Sequence, residues 1–253
     1  MSSTHTCGVS ACRREQGRTA ARPPAVLALV LLAASVAGGQ TESRSLVATV
    51  DHLVYATPDL QRGIDRVEQL LGVRASPGGQ HPGRGTRNAL VALGPGVYLE
   101  IIGPDPEQPR PPQARPFGID GLEAPRLVAW AAKGTALEPF AGTAAQRGVI
   151  LGPVISGSRR RADGVMLTWR YTDPRTVVAD GLVPFFIDWG STPHPAASAA
   201  TGAALVTLRA EHPDAAQVQR ALGQVGIELP VRPGPRAALI AVIDSPRGRV
   251  ELR

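Results

Sequence analysis

The feature that most constrains this 253-residue chain is internal repetition: one order of elements, strand, helix and three further strands, can be read three times along it. A single βαβββ unit makes a small sheet with one uncovered face, so a chain of such units has to bury those faces against one another. In the first copy Leu46 to Ala56 reads as a strand in which Val50, His52, Val54 and Ala56 share a face. Thr57 is read as a helix N-cap with Pro58 at the first helical position. Leu60, Ile64, Val67 and Leu71 form the buried stripe, and Gly72 is the stop. Three extended pieces follow, Val73–Ser76, Thr86–Leu93 and Val97–Ile102, with turns at Gly78-Gly79, Pro82-Gly83 and Gly94-Pro95-Gly96.

The second copy has a strand at Leu127–Ala132, a helix at Leu137–Arg147 and strands at Val149–Ile155, Val165–Tyr171 and Leu182–Trp189. Its Ser158-Arg159-Arg160-Arg161 reads as a solvated hairpin tip in preference to an anion site. The third is compact: a strand at Ala204–Arg209, a helix starting at Pro213-Asp214 with Val218, Leu222 and Val225 inward, and strands at Ile227–Val231, Ala237–Ile243 and Val250–Leu252. The expected modules are residues 46–104, 125–190 and 203–253, with a Pro-rich linker at 105–124, in an α+β chain of repeated modules. An odd number of modules leaves one sheet face, to be covered within the chain or by a second subunit in a homodimer.

Ahead of the modules, Arg13, Arg14, Arg18 and Arg22 precede an unbroken apolar run from Ala25 to Ala37 and then Gly38-Gly39. A basic flank, about a dozen apolar residues and a small-residue exit form the layout of a secretory signal, short for a membrane span. Residues 1–39 are therefore expected to be a leader cleaved after Ala37 or Gly39, which makes the protein exported, periplasmic or extracellular. The alternatives are an uncleaved anchor, the one membrane contact expected, or a cytoplasmic protein whose start is assigned too far upstream. The leader takes both cysteines, Cys7 and Cys12, so thiol nucleophiles and a disulfide framework are excluded from the mature chain. It also takes four arginines and Glu15. The formal charge of +6 drops to 23 basic against 20 acidic groups, too little for nucleic-acid binding by counterion release.

Asp51-His52-Leu53-Val54-Tyr55-Ala56-Thr57-Pro58-Asp59-Leu60 resembles the first strand and helix start of the vicinal-oxygen-chelate superfamily, which includes glyoxalase I, extradiol dioxygenases and fosfomycin-resistance proteins. Asp244-Ser245-Pro246-Arg247-Gly248-Arg249-Val250-Glu251-Leu252 is similar to its closing hairpin. Gly78-Gly79-Gln80-His81-Pro82, Gly85-Thr86-Arg87-Asn88 and Tyr98-Leu99-Glu100-Ile101-Ile102-Gly103-Pro104 resemble a divergent glyoxalase-like branch. The resemblance covers residues 48–253. It implies cup-shaped mixed sheets around a cavity that takes a small oxygen-bearing molecule, and a divalent metal, Mn, Fe, Ni or Zn, held from first and fourth strands. No nucleotide cofactor is expected.

On that resemblance His52 and Glu100 should face the cavity side by side, and strand parity agrees: each is a polar group on an otherwise apolar face. The later units offer Ala129 or Trp130 and Thr207 at the position of His52, so a full four-ligand site is not visible. The candidate metal ligands are His52, His81, Glu100 and Glu251; the candidate catalytic carboxylates are Glu100 and Asp188; the candidate substrate contacts are Asn88 and Trp189. Each has a plain alternative: a satisfied core histidine at His52, an arginine-paired carboxylate at Glu100, a polar hairpin residue at His81, an inward amide satisfying a bulge at Asn88, a salt-bridge partner at Asp188. A metal-dependent lyase, isomerase or dioxygenase and a metal-free binding or sequestration protein are the two functional readings.

Overall fold

A computed structural model describes residues 46–161 and 163–253; the segment read as a leader, with both cysteines, lies outside the described residues. The first module contains β1 (Val50–Ala56), α1 (Leu60–Leu71), β2 (Ser76–His81), β3 (Thr86–Gly94) and β4 (Val97–Pro104). The second contains β5 (Arg126–Lys133), α2 (Leu137–Gln146), β6 (Val154–Arg160), β7 (Met166–Thr172) and β8 (Phe185–Asp188). Their eight strands close into one barrel in the order β1-β4-β3-β2-β6-β7-β8-β5. In each module the first strand runs parallel to the fourth, and β1 meets β5 antiparallel across the long junction. The other junction, β2 to β6, is pinned by a single pair, Gln80 with Arg160.

The parity of β1 sorts its side chains between two cores. Leu53 and Tyr55 point outward into the main core, while Val54 and Ala56 point into the lumen with Ile102, Ala131 and Phe185. Val50 leaves the lumen face expected for it and joins the outer core, because the β1–β5 register shifts between Val50 and His52. Helix α1 begins later than the sequence pattern suggests. Asp59 is the N-cap, its carboxylate accepting the Arg62 N–H at 3.1 Å, and Thr57 Oγ1 accepts the Asp59 N–H instead. Gly72 ends the helix in the left-handed region, φ 70°.

Two glycine and arginine segments differ from expectation. Gly78-Gly79 lies inside β2, at a bulge between Pro77 and Gly79, and is not a turn. A Cβ on Gly79 would stand 2.0 Å from the Arg160 carbonyl oxygen, so the second glycine lets β2 and β6 meet. Arg159 and Arg160 belong to β6, and the hairpin turns later, where the Arg161 N–H donates to the Val165 carbonyl.

The third unit, β9 (Ala204–His212), α3 (Ala215–Gln224), β10 (Val231–Pro233), β11 (Ala238–Ser245) and β12 (Gly248–Leu252), has the expected order along the chain and a different sheet. Its strands pair as β10-β9-β11-β12, whereas each barrel module pairs first-fourth-third-second. Helix α3 returns the chain to a parallel neighbour of β9, leaving β11 to pair on the other side. This sheet packs outside the barrel. Leu208, Ala241 and Ile243 join Leu53, Leu71 and Leu99 in one core, so the spare face is covered within the chain. The segment 191–202 between barrel and sheet lies across one end of the lumen, where Ala196 and Ala199 pack on Leu90, Ala92 and Tyr98. Among the described residues no helix is long and apolar enough to cross a membrane.

Candidate functional site

The lumen holds a cavity of about 50 Å³, room for a few waters at roughly 10–15 Å³ each. His52 from β1, His81 from the end of β2, Asn88 from β3 and Glu100 from β4 converge there, all buried at 4–7% exposure. Adjacent strand positions bring them together: β4 lies between β1 and β3, with Glu100 opposite Val54 on one side and Leu90 on the other. His52 stacks on Tyr98 with ring centroids 4.7 Å apart.

Hydrogen bonds orient both imidazoles. His52 Nδ1 lies 2.7 Å from Asp51 Oδ1. Burial raises the Asp51 pKa, but hydrogen bonds from His194 and His52 outweigh it and hold this carboxyl down to about 2. An ionised carboxylate only accepts, so Nδ1 carries a proton and Nε2 is the ring nitrogen turned to the lumen. His81 places Nδ1 3.0 Å from Thr86 Oγ1 and Nε2 3.4 Å from Asn88 Nδ2. Arg159 Nη1 donates to Asn88 Oδ1 at 3.2 Å, so the amide turns its NH2 toward the site, donating to Glu100 Oε1 at 2.6 Å. That network makes His81 Nε2 an acceptor. Burial pushes His81 down to about 4 despite the nearby Glu100 charge, which keeps the ring neutral at physiological pH.

The result is a focus of polar atoms. His52 Nε2 is 3.9 Å from Glu100 Oε2, and His81 Nε2 is 3.7 Å from Glu100 Oε1. Imidazole nitrogens and a carboxyl group gathered inside a low-dielectric lumen favour something positive, a proton or a cation, between them. Two imidazoles and one carboxylate are also the donor types of a facial metal triad. The separations exceed by a few tenths of an ångström the roughly 3.4 Å between tetrahedral ligands at ~2.1 Å from an ion. As they stand, no three His, Cys, Asp or Glu side chains among the described residues form a closed metal cluster.

The second module supplies walls. Trp169, Tyr171, Phe185, Ile187 and Trp189 line the lumen, which puts the candidate substrate contact Trp189 on the cavity wall. Trp189 Nε1 donates to Asp51 Oδ2 at 3.1 Å, and His194 Nε2 reaches the same oxygen at 3.1 Å from the 191–202 segment. His194 thus has two roles: it supports Asp51, and it caps the short 3-10 turn Pro195–Ala197, its Nδ1 accepting the Ala196 N–H.

Two candidates lie elsewhere. Asp188 follows Ile187 on β8, and since Phe185 and Ile187 point inward, alternation turns Asp188 outward, where it accepts the Gly190 N–H. Glu251 is exposed on the outer sheet and pairs with Arg209 and Arg253. Arg159 runs the other way. Read as solvated, it is 3% exposed and lines the cavity, because β6 continues past Ser158 and alternation carries residue 159 inward. A Cβ on Gly78 would lie 2.0 Å from Asn88 Oδ1 and 2.8 Å from Arg159 Nη1, so the first glycine of the pair seats the amide and the guanidinium together.

Residues 50–226 match the glyoxalase-like domain family. No curated protein matches the chain in sequence. Among solved structures, a hypothetical protein from Staphylococcus aureus is 14% identical with a TM-score of 0.54, over 80% of this chain and 83% of that one, a likeness of fold. Methylmalonyl-CoA epimerase from Mycobacterium tuberculosis is 18% identical with a TM-score of 0.35, over 59% of this chain and 91% of that one.

Proposed function

The chain belongs to the glyoxalase-like domain family of the vicinal-oxygen-chelate superfamily, and on that premise we propose that its lumen binds a small oxygen-bearing molecule beside a divalent cation held by His52, His81 and Glu100. The observation that carries this reading is the convergence of two Nε2 atoms on one buried carboxyl group, each ring fixed from behind by an oxygen. Members of the superfamily commonly bind divalent metals, and the donors here suit Mn, Fe, Ni or Zn in kind. A cation bound there would polarise a substrate oxygen as a Lewis acid. The chain's own parts supply the rest. Asn88 holds Glu100 Oε1, Glu100 Oε2 is available to a substrate proton, and the aromatic wall keeps bulk water from the floor. Lyase, isomerase and dioxygenase chemistry all use such parts.

Metal-free binding is the second reading, favoured by the Asn88 amide already resting on Glu100 Oε1 at 2.6 Å. Metal analysis after loading with Mn, Fe, Ni and Zn separates the two. About one equivalent in the wild type, lost in His52→Ala and in Glu100→Ala, is expected of the site. No uptake of any of the four ions would leave the binding-protein reading in place.

A further inference from the structure

The least satisfied polar group in the lumen is the guanidinium of Arg159. It is 97% buried by its 3% exposure, its Nε has no hydrogen-bond partner, and the partner its Nη1 has is the neutral Asn88 Oδ1. Among the described residues no carboxylate is within ion-pair reach of it. Taking such a cation out of water is costly unless a counter-charge meets it, and a guanidinium offers five donors in a planar fork. Arg84, half-buried, also lines the cavity, its guanidinium 5.4 Å above the Tyr171 ring, without a carboxylate partner among the described residues. Two cations therefore border the lumen beside the aromatic rings of Trp169 and Tyr171 and opposite the polar cluster of Glu100.

We propose that Arg159 receives the carboxylate of a small organic acid, with Arg84 at the same wall, so that the acid's remaining atoms pack on Trp169 and Tyr171 and reach toward Glu100. This rests on the lumen being the binding site, and it names the substrate class. A carboxylate fits better than a phosphate for two reasons. Its plane matches the fork with two parallel hydrogen bonds, and its single charge faces less repulsion from Glu100 than a dianion would. A cavity of about 50 Å³ suits a small acid of a few heavy atoms.

Trp169 and Trp189 line the lumen, so intrinsic fluorescence of the full chain reads occupancy. The probes are pyruvate, its uncharged isostere pyruvamide, and inorganic phosphate. Pyruvate is expected to bind about 10-fold or more tightly than pyruvamide, the discrimination of one charge-assisted pair. Arg159→Met should erase that preference while pyruvamide affinity stays, and Arg159→Lys, the variant to use if the methionine form does not fold, should keep only part of it. Equal affinity for the two probes, no saturable quenching by pyruvate at tens of millimolar, phosphate outcompeting pyruvate, or a preference that survives Arg159→Met would each overturn the proposal. If pyruvamide binds and the preference is absent, the lumen remains a binding site and the acid does not. If the preference stands while no metal is taken up, the acid remains and the cation does not.

Discussion

The two barrel modules share a topology and divide the chemistry. At the lumen face β1 and β4 carry His52 and Glu100, where β5 presents Ala129 and Ala131 and β8 presents Phe185 and Ile187. β2 contributes His81, whereas β6 contributes Arg159. One half is thus a polar constellation and the other an apolar wall with a single buried cation. The difference teaches why duplication suits such a site. The apolar half lowers the local dielectric and so strengthens every charge interaction made by the polar half, at no cost in buried carboxylates of its own. It also braces the polar half from behind, since Trp189, joined by His194 of the 191–202 segment, holds Asp51, the residue that orients His52.

The sharpest way to break this division is to make the halves alike. Phe185→Glu removes an aromatic that touches His52 and Tyr171 and puts a second carboxylate into the lumen. Urea unfolding should show a loss of about 3–5 kcal/mol from the missing aromatic packing alone; a loss below about 1 kcal/mol would mean that the two walls are interchangeable.

A smaller effect tests the brace. The folded Asp51 carboxyl, at about 2, lies below its ordinary 3.8, so it stabilises the fold when ionised. That contribution, about 2 kcal/mol, is complete above about pH 5 and is lost as pH falls through 4 toward 2. The stability gap between wild type and Asp51→Asn should therefore be widest near neutrality and narrow through that window. A gap independent of pH would remove Asp51 from the role.

Smallest of all, Glu251→Gln and Asp188→Asn change outward groups and should each shift stability by no more than about 1 kcal/mol while leaving metal uptake unaltered. Loss of metal in either would return it to the site.

Much of this arrangement is legible in the sequence because it follows from period. Alternation places His52 with Val54 and Glu100 with Ile102, and the resemblance makes β1 and β4 neighbours. What escapes depends on where a strand ends or on contacts distant in sequence. Arg159 sits in a run of three arginines that looks solvated until β6 is known to continue through it. Asp51 meets Trp189 and His194 across 138 and 143 residues, and no local pattern encodes that meeting. Asp188 was within reach: the same alternation that puts Ile187 inward puts it outward. Glu251 was not, because its hairpin has the family's motif on a sheet paired in another order.

Barrel closure also bears on how the chain behaves at high concentration. Among the described residues, the strands of the ring are paired on both sides except along the β2–β6 junction, which a single pair closes, so the longest open strand margins lie on the outer sheet. Both of its margins are guarded. β10 is three residues long and ends in Pro233, which has no N–H to donate, and β12 displays Arg249, paired with Asp244, and Glu251, paired with Arg209. The charged pairs that lie away from the lumen thus stand along the margins where strand addition would begin.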